Sequence, residues 1–508
     1  MYKNNTTKTK NSIRNTIWGV ALKILGLLFP FIIRTLLIYS LGAEYLGLNS
    51  LFTSLLQILS LSELGIGGAM VYYMYEPFVK GDTAKINALL KTYRKVYNYI
   101  GLLITCLGLL LLPFLDFFIA GKVPSDINIY ILYLIYLANT SISYFLFSYR
   151  RSLFIANQRS DIESKALITS NLVMYAGQMI ALSIFSNYYF YAIVIPLSTI
   201  LNNILIYYMS RKYYPEIECS GILDKETLSD MKRKVKALFG HKVGGVISTS
   251  ISNILVSSLL GLSILGVFNN YYFIILLLGG FLDIFFASIK AGVGYSMVES
   301  DRTKNLKDFQ FLQFWNAFSV SFCAMCYACL IQPFMENWVG KSLMFDTTTA
   351  ILFSILFYIW NIRKVCLVYK DAAGNWEKDW LKPYAETAFN VIVGLILAHK
   401  WGVNGIIVSS ILSMLLIDIP WELYVLNKTY FRTSFLNLMR SVFKVTSLFV
   451  ILIPVLLFIF SFLENSIWIF VGEIFVCILL PSIIFWILFR KNTYFERILI
   501  ILSKNQKS

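Results

Sequence analysis

The stretch Ile17-Trp-Gly-Val-Ala-Leu-Lys-Ile-Leu-Gly-Leu-Leu-Phe-Pro-Phe-Ile-Ile-Arg-Thr-Leu-Leu-Ile-Tyr39 is long and apolar enough to cross a lipid bilayer as one α-helix. A helix rises about 1.5 Å per residue, so a hydrocarbon core of about 30 Å requires about 20 mostly apolar residues. Hydrophobic residues make up 57% of the 508-residue chain and charged residues only 14%, and the mean hydropathy is +0.67. This composition predicts an all-α, polytopic membrane protein.

Apolar runs of comparable length recur to the end of the chain and define the predicted spans. The runs are continuous, whereas strands of a membrane barrel alternate apolar and polar residues over about ten positions, so helices are the expected spanning elements. We predict about 14 membrane helices, with boundaries good to a few residues. They lie near 17–39, 48–75, 96–118, 127–149, 165–186, 189–210, 243–262, 266–298, 309–332, 348–368, 384–399, 403–426, 444–463 and 467–489.

The basic residues predict the orientation of these helices. Nearly all of the 44 Lys and Arg residues fall in alternate gaps between the apolar runs, and the intervening gaps hold only Lys122, Lys341 and Lys400. Positive residues accumulate on the cytoplasmic side of membrane proteins. We therefore expect both termini to be cytoplasmic, in agreement with an even number of spans, and the chain to lie in the cell (plasma or inner) membrane.

A weak internal repeat predicts two lobes. Leu46-Gly47-Leu48 at the start of span 2 is followed by Gly65-Ile66-Gly67, and Leu265-Gly266-Val267 at the start of span 8 is followed by Gly292-Val293-Gly294. Six spans separate the two sets, as expected for a parallel repeat about an axis along the membrane normal. The predicted parts are an N-terminal lobe at 1–210, a cytoplasmic amphipathic linker at 211–242, a C-terminal six-helix lobe at 243–426, and two extra helices with a basic tail at 427–508.

Predicted spans 1, 2 and 8 together carry five charged residues. Lys23 and Arg34 are eleven positions apart, about three helical turns, and therefore project from nearly the same face of span 1. Asp283 and Lys290 are seven positions apart on span 8, and Glu63 lies in the inner half of span 2. Because a charge at membrane depth costs at least about 2.5 kcal/mol, we expect each to face a partner or a wet cavity.

The N-terminal spans resemble a known family. The segment Arg34-Thr-Leu-Leu-Ile-Tyr-Ser-Leu-Gly-Ala-Glu-Tyr-Leu-Gly-Leu-Asn49, then Leu59-Ser-Leu-Ser-Glu-Leu-Gly-Ile-Gly-Gly-Ala69 and Tyr75-Glu-Pro77, is similar to the first two helices of the polysaccharide repeat-unit flippases. These belong to the multidrug/oligosaccharidyl-lipid/polysaccharide exporter superfamily. The remainder of the chain agrees with the family in span number, topology and length.

This resemblance implies a two-lobed transporter with a central cavity. Its substrate would be a lipid-linked oligosaccharide of the polyprenyl diphosphate type, moved to the outer leaflet by alternating access within surrounding membrane lipids. Glycosyltransferases and a glycan polymerase of the same pathway are the implied partners. Drug-extruding transporters and peptidoglycan-precursor flippases share the fold, so the fold alone does not choose the substrate.

The implied substrate gives the charged residues candidate roles. Arg34, Lys23 and Lys290 are predicted to bind the diphosphate, because an anion in a low-dielectric cleft needs desolvated cations and arginine offers a bidentate fork. The alternative is that Lys23 and Arg34 extend toward the two membrane surfaces. We expect Glu63 and Asp283 to pair with these cations, Asp283 with Lys290, while coupling to a proton or sodium ion is the alternative.

Three further residues are candidates for a gating role. Pro30 removes a backbone donor and predicts a bend in span 1, which would be either a static kink or part of a moving gate. Gly67 and Gly292 permit bending or close helix packing.

Several functional classes fit the sequence poorly. It shows no P-loop, catalytic constellation or metal-ligand cluster, so we predict a non-enzyme without cofactor or metal. The net charge of +16 is spread over span ends, which argues against nucleic-acid binding. A membrane glycan polymerase or ligase should have long external loops, and a cation-extruding drug transporter should have an acidic cavity. These two functions are the alternatives, and Asp418 and Glu422 are predicted to lie at the membrane interface.

Overall fold

The computed structural model is helical and describes residues 3–60, 66–373, 381–433, 435–463 and 466–498. No β-strand occurs over these ranges. The all-α prediction is confirmed, and continuous apolar runs explain it, since a helix satisfies its own backbone hydrogen bonds inside a membrane.

The chain forms two compact units, Met1–Gly266 and Val267–Ser508. The described helices up to the end of the first unit are α1 (Lys3–Ser40), α2 (Ala43–Leu59), α3 (Ile66–Lys80), α4 (Thr83–Leu111), α5 (Ile129–Phe145), α6 (Arg151–Ala156), α7 (Ser160–Ile180), α8 (Tyr188–Tyr213), α9 (Lys225–Leu260) and the start of α10 (Leu262–Glu299). The second unit continues with α11 (Arg302–Val339), α12 (Thr347–Ile362), α13 (Lys364–Ala372), α14 (Lys382–Trp401), α15 (Val403–Ser413), α16 (Ile419–Leu426), α17 (Phe435–Phe460) and α18 (Ile467–Phe489).

The described residues contain 10 helices long and apolar enough to cross a membrane. A bent pair, Ile129–Phe145 with Ser148–Ala156, raises the number to 11 if it forms one span. The predicted spans 48–75, 243–262 and 384–399 coincide instead with α2 and α3, with α9 and with α14. The polytopic architecture is therefore confirmed, while the count of 14 and the lobe boundaries remain predictions.

In the first unit, a buried carboxylate anchors the start of α1. Asp161, at the start of α7, is fully buried and accepts ion pairs from Arg14 at 2.9 Å, Arg159 at 2.9 Å and Lys165 at 3.6 Å. The backbone N–H of Asp161 also donates to Asn15 Oδ1 at 2.8 Å. Arg14 and Asn15 of α1 thus bind Asp161 of α7, and the two helices pack along each other.

In the second unit, α11 is the central element. It packs against α12, α17 and α18, and its buried side chains include Phe309, Phe314 and Met325. The tail of this unit is tied to α11 by Arg497, which donates to Asp308 at 2.5 Å. A shared apolar core therefore joins the two C-terminal helices to the rest of the unit.

Candidate functional site

Arg34 lies on α1, which continues through Pro30 as unbroken helix. Its side chain is half-buried and interacts electrostatically with the hydroxyl of Tyr191 on α8. Tyr191 is buried and stacks on Tyr188, with ring centroids 5.3 Å apart. The structure thus places the Arg34 cation next to buried tyrosines of the first unit, while a gating role for Pro30 remains a prediction.

The tyrosines around Arg34 belong to a buried hydrogen-bonded network. Tyr188 Oη donates to the carbonyl of Tyr45 at 3.0 Å and lies 3.1 Å from Tyr136 Oη. Tyr136 Oη in turn donates to Asn49 Oδ1 at 2.7 Å. Because these hydroxyls are mutually satisfied, they form a rigid polar wall that joins α2, α5 and α8 beside α1.

Lys23 lies on the same helix as Arg34, and its side chain is exposed. In the described part of the chain no ion pair is found for it. An exposed ammonium group on a flexible stem is available either to a ligand or to the membrane surface. Both sequence-based explanations of Lys23 therefore stay predictions.

Lys290 and Asp283 lie on α10 as predicted, but they do not pair with each other. Lys290 Nζ is 2.6 Å from Asp371 Oδ2, and Asp283 Oδ1 is 2.6 Å from Lys364 Nζ. Lys364 Nζ also donates to the carbonyl of Gly279 at 2.9 Å. Residues seven apart on a helix are about 10.5 Å apart along its axis, which is too far for an ion pair. The predicted Lys290–Asp283 pair is wrong, because each residue reaches across to α13 instead.

The other predicted site residues have different environments. Glu63 lies outside the described residues. A Cβ added at Gly67 would lie 3.1 Å from Tyr93 Oη, which identifies a close-packing position. At Gly292 nothing lies within 4 Å of such a Cβ, so the helix surface there is open. Gating by either glycine remains a prediction.

The sequence analysis missed a buried cluster of charged residues. Arg363, between α12 and α13, donates to both oxygens of Glu422, at 3.1 and 2.6 Å, and pairs with Asp418. Lys382 Nζ donates to Glu422 Oε1 at 2.5 Å. Asp418 and Glu422 are 0% and 1% exposed, so both lie inside the protein, while their predicted location at the membrane interface remains a prediction. Packing of α16 against α13 covers the face that these two carboxylates share.

A cavity of about 650 Å³ adjoins this cluster within the second unit. Arg363 and Glu422 contribute its charged groups, while most of its wall is hydrocarbon. A cavity of this kind can accept an apolar chain. Its apolar lining comes from α12, α16 and α17 and includes Ile359, Ile362, Leu423, Met439, Val442 and Phe443.

Comparison with known proteins gives a family match over residues 12–289, to a model described as polysaccharide biosynthesis protein. The fold is similar to that of the lipid II flippase MurJ in an inward closed conformation. That structure matches with a TM-score of 0.68 at 16% identity, over 94% of this chain and 99% of the flippase. A comparison with curated protein sequences finds no match.

Drug transporters share this fold. An inward-facing multidrug resistance MATE family transporter of the MOP superfamily matches with a TM-score of 0.63 at 13% identity, over 84% of this chain and 94% of that chain. A Vibrio cholerae MATE transporter, VcmN, matches with a TM-score of 0.55 at 12% identity, over 87% and 99%. At such identities the likeness concerns the fold alone.

Proposed function

Because the chain belongs to the polysaccharide biosynthesis protein family, whose model covers more than half of it, we propose that it is a flippase for lipid-diphosphate-linked oligosaccharides. It would move oligosaccharide repeat units from the cytoplasmic to the outer leaflet by alternating access. The observation that carries this proposal is the Arg34 cation, set within an apolar helix of the family-matched segment and beside a buried tyrosine network.

The chemistry of the substrate gives each part of the site a role. A diphosphate needs cations in a low-dielectric setting, and the guanidinium of Arg34 offers two parallel donors. The exposed Lys23 lies on nearly the same face of α1. Lys290, half-exposed and held by Asp371, would bind a phosphate by exchanging that carboxylate for a phosphate oxygen.

The hydrocarbon part of the carrier lipid also needs a place in the protein. The cavity of about 650 Å³ in the second unit offers a largely apolar wall for it. Burying apolar surface there would contribute about 25 cal/mol per Å² to binding.

The distribution of basic residues and the family match support a cellular location for the protein. Basic residues in alternate gaps support a multi-pass protein of the cell membrane with both termini in the cytoplasm. As partners in the same pathway, glycosyltransferases would then act before translocation and a glycan polymerase after it.

The principal alternative is extrusion of cationic drugs, since the MATE transporters share the fold. A cationic substrate would require free carboxylates. The buried carboxylates of Asp418 and Glu422 already bind Arg363 and Lys382, which argues against that function.

Arg34 provides the test. In a flippase-deficient strain, we expect Arg34→Ala to reach the membrane at the wild-type level but to lose export of lipid-linked glycan, and Arg34→Lys to retain part of it. Arg94→Ala is the matched control, because Arg94 is exposed on α4. Wild-type export by Arg34→Ala at matched expression would contradict the proposal.

A further inference from the structure

Basic residues occur side by side at corresponding positions in the two units. Arg150 and Arg151 lie at the break between α5 and α6, and Arg363 and Lys364 lie at the junction of α12 and α13. Both pairs lie near the C-terminal end of the fourth predicted span of a six-helix lobe. In the second unit, Arg363 has built-in counter-charges, because Asp418 and Glu422 contact it directly.

The corresponding arginines of the first unit contact neutral groups. Arg150 Nη1 donates to Ser210 Oγ at 3.0 Å, and its guanidinium lies 5.2 Å from the ring centroid of Tyr207. Arg151 Nη2 donates only weakly to Asn203 Oδ1, at 3.4 Å. Both partners belong to α8. Two adjacent guanidinium groups are thus held by hydroxyl, amide and aromatic groups.

One carboxylate acts on this pair from a distance. Glu163 of α7 interacts electrostatically with Arg151, although the two form no ion pair. Two guanidinium groups and one carboxylate leave a net charge of about +1 in this region at neutral pH. Because an uncompensated charge buried next to apolar helices is costly, binding of a counter-ion in this region would be favourable.

Arg151 lines a polar cavity of about 300 Å³ within the first unit. The cavity is bounded by α5, α7 and α8, and none of its lining residues is acidic. A cation bound there would find no carboxylate ligand, whereas an anion would find many hydrogen-bond donors. Its polar lining around the arginine includes Asn139, Ser143, Asn171, Thr199 and Asn202.

Two buried polar atoms of the cavity wall lack hydrogen-bond partners. These are Arg151 Nε and Asn202 Oδ1, and Asn202 is only 4% exposed. The oxygen and nitrogen of an amide exchange places by rotation, so Asn202 can present its NH2 group to the cavity. Buried polar atoms without partners are costly, and a ligand bound in the cavity would satisfy them once the two side chains turn toward it.

We propose that this cavity binds a monovalent inorganic anion such as chloride. The anion takes the place that the carboxylates of Asp418 and Glu422 occupy in the second unit. One negative charge balances the net charge around Arg150 and Arg151, and the hydroxyl and amide groups complete the coordination. The site is separate from the proposed substrate contacts at Arg34, and it does not depend on which substrate is transported.

Thermal unfolding of the purified full-length protein tests the site. At constant ionic strength, replacing gluconate by chloride or bromide is expected to raise the unfolding midpoint of the wild type by about 2 °C and to saturate, as linkage requires. Arg151→Gln should lose this response, whereas the exposed Arg94→Gln should keep it. An unchanged halide response in Arg151→Gln would overturn the proposal.

A second variant decides the question if Arg151→Gln fails to fold. Asn202→Asp places a carboxylate in the cavity with almost no change in size, as in the second unit. It should be as stable in gluconate as the wild type is in chloride, and it should not respond to halide. A wild-type halide response in Asn202→Asp, or stabilisation of the wild type by phosphate and not by halide, would overturn the proposal.

Discussion

Gly47 on α2 and Gly266 on α10 make reciprocal backbone contacts. A Cβ added at Gly47 would lie 2.1 Å from the carbonyl oxygen of Leu262, and one added at Gly266 would lie 2.1 Å from that of Ala43. Both glycines belong to the short repeated motifs that led us to predict two lobes. The start of α2 and the start of α10 therefore approach each other at a distance that only glycine permits.

Substituting either glycine is expected to push the two helices apart. Gly47→Ala or Gly266→Ala should lower the free energy of unfolding by about 1–3 kcal/mol, because backbone atoms cannot yield to a methyl group as a side chain can. Thermal unfolding of the purified protein measures this loss. Gly68→Ala is the control, since nothing lies within 4 Å of a Cβ at that position. Equal unfolding midpoints for all three variants would show that the contact is not close.

The buried cluster around Arg363 gives a second prediction. Arg363→Met removes the guanidinium group that pairs with both Asp418 and Glu422 while the two carboxylates stay buried, so we expect a loss of about 3–5 kcal/mol in the free energy of unfolding. Arg233→Met is the matched control, because Arg233 is 81% exposed and pairs with Asp230 at the surface. There the expected loss is below about 1 kcal/mol. Similar losses in the two variants would rule out a stabilising role for the cluster.

The ion pair between Lys290 and Asp371 gives a third prediction. In a double-mutant cycle on thermal stability, Lys290→Asp and Asp371→Lys should each destabilise the protein, and their combination should recover about 0.2–1 kcal/mol. The value is small because both side chains are partly exposed. The same cycle with Lys290 and Asp283 should be additive. Strong coupling of Lys290 to Asp283 would contradict the partners described above.

The apolar cavity of the second unit gives a fourth prediction. Val442→Trp places an indole in the cavity and should reduce transport of lipid-linked glycan about tenfold, the factor that about 1.4 kcal/mol of binding energy provides. The measurement is glycan export at matched membrane expression. Val450→Trp on the same helix is the control, because Val450 is 58% exposed. Equal export by both variants would exclude the cavity from substrate binding.

Hydropathy predicted the long helices well, because spans such as Lys10–Ser40 and Ile467–Phe489 are set by the local sequence alone. It predicted the shorter helices less well, since the continuous apolar run at 48–75 gives no sign that α2 ends at Leu59.

The ion-pair partners of the charged residues could not be predicted from the sequence, for a different reason. Arg363 lies near the end of an apolar run, and the sequence alone predicts an ordinary basic residue of a loop there. Its burial depends on α13 packing against α16, a contact between segments far apart in sequence. Likewise, the spacing of Asp283 and Lys290 shows that they share a face of α10, but not that α13 lies opposite it.

The two ion pairs between α10 and α13 also determine how these helices lie along each other. Asp283 precedes Lys290 by about two turns on α10, and Lys364 precedes Asp371 by the same spacing, with the order of charges reversed. Sliding one helix by that distance would bring Lys290 to Lys364, or Asp283 to Asp371, and like charges repel. The pairs therefore favour one longitudinal register, and a conformational change that slides α10 along α13 would lose both ion pairs and bring like charges together.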